Sequence, residues 1–99
     1  MAAEILLDNA KTDTVGRDVS IRIIGSQIAP ARMSVQIAIS GGASVEIQGR
    51  VHKNAPWAAI GPLHEQSCLL YIDPIWSLRA VSSRMTPGAS VSVWAAWSI

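Results

Sequence analysis

The chain has 99 residues, 49% of them hydrophobic and only 15% charged, with a formal net charge of +1. One domain with one core is expected, since a chain near this size buries roughly 60–65% of its unfolded surface. Acids and bases are interspersed, so no electrostatic footprint for nucleic acid or an acidic membrane is present.

Charge falls well below the roughly 25% of an average globular chain. Some surface is therefore expected to be buried against other subunits. The lone cysteine, Cys68, excludes an intramolecular disulfide and any CxxC redox or zinc pattern. No run reaches the roughly 18–20 apolar residues that span a bilayer. The start, Met1-Ala-Ala-Glu-Ile-Leu-Leu-Asp, lacks the basic and apolar regions of a secretion signal. A chain made in the cytoplasm, soluble or joined to an assembly there, is the expectation.

In chain order, Glu4 to Leu7 reads as a short first strand and Asp8 to Asp18 as a long polar turn. Val19, Ile21 and Ile23 alternate with Ser20 and Arg22 in a second strand, and Pro30 keeps the following connection out of a central strand. Met33, Val35, Ile37 and Ile39 give the cleanest alternation in the sequence. Gly41-Gly42 then predicts a hairpin, with Val45, Ile47 and Val51 joining the same buried face and Gly49 marking a bulge or a close neighbour.

Lys53 to Pro56 is a turn, Trp57 to Ile60 a short strand, and His64 to Ser67 a polar loop. Cys68 to Ile72 is a continuous apolar strand that Asp73-Pro74 stops, and Trp76 to Ser82 another with Leu78 and Ala80 inward and Arg79 outward. Pro87-Gly88 suits the two central positions of a type II turn. In the last strand, Ala89 to Trp97, one face carries Val91, Val93, Ala95 and Trp97, while the other carries Trp94 among serines and alanine. Both faces of that strand are expected to be covered. The pattern predicts an all-β chain of about eight short antiparallel strands in a β-sandwich or jelly roll.

Chemistry is sparse. His64 with Cys68, oriented by Glu65, is the sharpest nucleophile–base arrangement available. Adjacent residues of an extended chain point opposite ways, however, so Glu65 is badly placed to orient its own neighbour. The preferred reading is a solvated histidine and a small buried thiol, with no catalytic residues, no metal and no cofactor. Four tryptophans without a phenylalanine raise a sugar-binding platform of Trp57, Trp76, Trp94 and Trp97 beside Arg79 or Glu65. The favoured alternative puts Trp57 and Trp97 in the core and Trp76 and Trp94 at a subunit boundary, where tryptophan is enriched.

The succession Ser-Val-Glu-Ile-Gln-Gly, Ala55-Pro-Trp57-Ala-Ala-Ile60, Tyr71-Ile-Asp-Pro74, Ser77-Leu-Arg-Ala80 and Thr86-Pro-Gly-Ala-Ser-Val-Ser-Val93 resembles small all-β structural proteins of tailed bacteriophages. The resemblance covers about Ser44 to Val93. It implies a virion component, best a capsid decoration (cement) protein and next a tail or fibre module. Such proteins are commonly trimers seated on a lattice of the major capsid protein, without catalytic residues. The implied localisation is the virion, assembled in the host cytoplasm. On this reading Trp76, Trp94, Trp97 and Ile99 form the subunit interface, and Met1 to Leu7, with Ile5, Leu6 and Leu7, is a capsid-docking arm that adds a strand to a neighbour's sheet. A carbohydrate-binding or adhesin module is the alternative.

Overall fold

A computed structural model describes residues 2–20, 33–73 and 75–97. The expected strand through Ile21 and Ile23, the connection at Pro30, and Pro74 and Ile99 lie outside the described residues. Nine strands are present among the described residues: β1 (Ala2–Ala10), β2 (Thr14–Val15), β3 (Val19–Ser20), β4 (Met33–Ser40), β5 (Ser44–Arg50), β6 (Ala58–Ala59), β7 (Cys68–Ile72), β8 (Ser77–Ser83) and β9 (Ser90–Trp97).

They form two antiparallel sheets, β1-β9-β4-β7 and β2-β8-β5-β6, with β3 also paired to β8. Because β2 and β3 lie in succession along β8, they occupy one broken strand position. The order that results is the double Greek key of a jelly-roll sandwich. The inner faces carry the alternating residues read from the sequence. Met33, Val35 and Ile37 of β4 and Val91, Val93 and Ala95 of β9 face Val45 and Ile47 of β5 and Leu78 and Ala80 of β8, all nearly inaccessible to water. Burying each of the larger aliphatic side chains contributes roughly 1.5–3 kcal/mol.

The β4–β5 connection differs from the hairpin expected of Gly41-Gly42. β4 pairs with β7 and β9, whereas β5 pairs with β6 and β8, so the two glycines carry the chain across from one sheet to the other. Gly41 has φ +80°. Thr86 locks this arch: its amide donates to Gly42 O at 2.8 Å, and its hydroxyl accepts from Gly42 N at 3.1 Å. The alternation was read correctly, yet two apolar faces that share a core need not share a sheet. Val51, expected inside, follows the last residue of β5 and is 74% exposed.

Gly49 is the close-neighbour case. A Cβ there would come within 2.7 Å of Ile60 Cδ1 and 2.8 Å of Ile75 Cδ1, so the missing side chain makes room for these two isoleucines in the sandwich. The turn at Pro87-Gly88 has the expected form, with Gly88 at φ +83° and Ala89 N donating to Thr86 O at 3.0 Å.

Candidate docking face

The outer faces of the two sheets differ in chemistry. On β8 and β5 the outward side chains include Arg79, Glu46, Gln48 and Arg50, bound to one another and to their surroundings. Arg79 Nε donates to Gln48 Oε1 at 2.7 Å and Gln48 Nε2 donates to Glu46 Oε1 at 2.7 Å. Arg50 donates to Asp18 Oδ2 at 2.7 Å and to Lys53 O at 3.0 Å. The guanidinium carbons of Arg50 and Arg79 stand 4.5 and 4.4 Å from the centroid of the Trp57 ring. Trp57, expected in the core, is thus a half-buried cover on the outside of this sheet.

The outer face of β1-β9-β4-β7 carries none of this. Its outward positions are Ala3 and Ile5 on β1, Ser92, Trp94 and Ala96 on β9, Ser34, Gln36, Ala38 and Ser40 on β4, and Leu69 and Tyr71 on β7. Ser90 of β9 and, across the second register shift of β1, the exposed Asp8 and Asn9 beside Ser92 complete the face, so Asp8 is the one charged side chain among these strand positions, at the end of the edge strand. The register aligns Ile5 with Trp94, Trp94 with Gln36, and Gln36 with Leu69 in one row across all four strands. The large apolar members of that row are open to water, Ile5 at 41%, Trp94 at 39% and Leu69 at 58%. Single exposed hydrophobes are ordinary, but a contiguous uncharged band of them marks an interaction surface.

The residues singled out in the sequence are dispersed over the fold. Trp94 stands at the middle of this face. Trp76 is exposed but directly precedes β8, in the other sheet, so the four tryptophans build no single platform. Trp97 points the opposite way from Trp94 and is buried with the core, and Ile99 lies outside the described residues. The segment expected to be a docking arm is β1 of the chain's own sheet, antiparallel to β9. A register shift between Ile5 and Leu7 turns two consecutive leucines, Leu6 and Leu7, into the core. Only Ile5 of the three faces outward. Leu69 and Gln36 do not stand out locally; the signal is the uncharged row they share with Ile5 and Trp94, visible only with four distant strands in register.

A cleft of about 620 Å³ lies along β1, between it and Thr14–Arg17. Arg17 spans it, pairing with Glu4 and donating from Nε to Ile5 O at 2.9 Å, so the strand edge there is already engaged. His64 Nδ1 lies 3.7 Å from Cys68 Sγ, while Glu65 is turned to Arg84 at 4.0 Å and does not orient the imidazole. No protein-family model matches the chain, nor does any curated protein or solved structure.

Proposed function

We propose that the protein is a non-enzymatic virion subunit, of the capsid-decoration kind that its second half resembles, and that it self-associates through the outer face of β1-β9-β4-β7. The observation that carries this reading is the uncharged, largely apolar row Ile5–Trp94–Gln36–Leu69 on a face whose counterpart on the other sheet is laced with charge. Jelly rolls serve as capsid domains and as lectins, so the fold agrees with the reading by analogy only. The partners are further copies of the chain and a major capsid protein. Avidity over a repeated lattice makes up for modest contacts at each site.

The test is solution mass by size-exclusion chromatography with light scattering, on wild type and Trp94→Ser. An oligomer that dissociates in the variant supports the reading. A wild-type monomer unaffected by the substitution removes it and advances the glycan-binding alternative, which the exposed Trp94 ring at the middle of this face favours. That alternative requires tryptophan fluorescence to respond to added oligosaccharides and Trp94→Ala to abolish the response.

A further inference from the structure

We infer that the occupant of this face is a second copy of the chain, packed face to face about a two-fold axis that runs parallel to the strands between β9 and β4. The inference rests on the docking reading above and fixes its partner and its register.

Three features lead to it. The first is charge. With Asp8, at the end of the edge strand β1, as the one charged side chain on the outward positions of β1, β9, β4 and β7, the face offers little for an acidic or basic partner to complement, and an axis between β9 and β4 keeps the two copies of Asp8 on opposite edges of the contact.

The second is self-complementarity. An axis parallel to the strands keeps each cross-strand row at its own height and reverses its direction. The row Ile5–Trp94–Gln36–Leu69 then meets itself from the other end, so that Ile5 lies against the partner's Leu69 and Trp94 against the partner's Gln36. Aliphatic meets aliphatic, and the indole N–H, which needs an acceptor when buried, meets an amide oxygen. The next row, Ala3–Ala96–Ser34–Tyr71, brings its one large ring over an alanine and sets small residues against small ones between. In the row beyond, Ser92 meets Ala38, small on small, and the exposed Asp8 and Asn9 that flank Ser92 lie past the end of the partner's β7. Small side chains beside the larger row let the two sheets approach to about the 10 Å of stacked sheets.

The third is area. Four strands about 4.8 Å apart and up to eight residues long at about 3.3 Å each give a face of roughly 400–500 Å². Two such faces together bury roughly 800–1,000 Å², below the roughly 1,200–2,000 Å² of standard interfaces and in the range of a weak, concentration-dependent association. The whole face is therefore needed, and an isologous two-fold contact uses all of it in both copies. A three-fold ring joins two different patches and would leave part of this face open.

The experiment measures mass against concentration by analytical ultracentrifugation for wild type, Ile5→Asp, Leu69→Lys and an equimolar mixture of the two variants. Both positions are exposed in the monomer, and urea unfolding checks that each variant keeps its stability. Wild type is expected as a dimer, and each variant alone as a monomer, with association weakened about tenfold or more by an unpaired charge at the contact. The mixture should regain the dimer. In a mixed pair the introduced carboxylate lies against the introduced ammonium on one side of the axis, and the native Ile5–Leu69 contact persists on the other. A wild-type oligomer that loses association in Trp94→Ser but is not restored in the mixture, or that has trimer mass, overturns the two-fold register while keeping the docking reading. A wild-type monomer at all concentrations overturns the pairing.

Discussion

At the scale of single residues, two glycines that look alike in the sequence have different neighbours. A Cβ on Gly49 would press on the terminal carbons of Ile60 and Ile75, which can rotate away. A Cβ on Gly16 would stand 2.3 Å from Leu6 O and 2.8 Å from Ala80 O, both backbone atoms held in place, and Gly16 N itself donates to Ala80 O at 2.7 Å. Gly49→Ala is expected to cost about 1 kcal/mol and Gly16→Ala about 3 kcal/mol, by the ordinary range for overpacking. Urea midpoints of the two variants check the order, and equal midpoints would contradict the packing described. Gly49 could be read from the sequence as a place of close approach because it interrupts an alternating strand. Gly16 could not, because its neighbours come from β1 and β8, far away in the chain.

The strands themselves were largely legible, and their partners were not. Alternation located β4, β5, β8 and β9 and assigned Leu78 and Ala80 inward and Arg79 outward, as they stand. It failed at the β4–β5 connection, since a pair of glycines permits a hairpin and an arch equally. What decides is a distant residue, Thr86, whose hydroxyl and amide hold Gly42. Thr86→Val removes the hydroxyl bonds while keeping the shape, and a loss of about 1–2 kcal/mol is expected from two bonds of ordinary strength. Chemical denaturation measures it. A similar device extends the β4–β7 edge, where Ser67 Oγ accepts from Ile39 N at 2.8 Å. The docking face was half legible: Trp94 was recognised by its outward parity, whereas Ile5 and Leu69 were hidden inside runs that read as continuously apolar.

For the molecule as a whole, the asymmetry between the outer faces separates stability from association. Arg79 belongs to the network of Gln48 and Trp57, on the sheet away from the docking face. Arg79→Ala should therefore lower stability by about 1 kcal/mol, the scale of a half-exposed hydrogen bond with a cation–π contact. It should leave the solution mass unchanged, and a change in mass would transfer the interface to the other sheet. The low charge noted in the sequence is thus concentrated in effect: one sheet carries its share of charge outside, and the other carries almost none.

The position of β9 in the first sheet has a consequence for synthesis. β9 lies between β1 and β4 and pairs with both, although it is the last strand of the described chain to leave the ribosome. At about 5–20 residues per second, β1 waits roughly 4–18 s for its partner. Until Ser90 to Trp97 emerges, β1 and the β9-facing edge of β4 stay open, with the apolar residues that flank them exposed. Only β5 and β6 pair as sequence neighbours, so almost every other pairing must close a long loop first, and folding in the ms–s range is expected. The nascent chain therefore carries an unfinished sheet edge from the emergence of β1 until that of β9, an open edge of the kind that invites pairing with other chains.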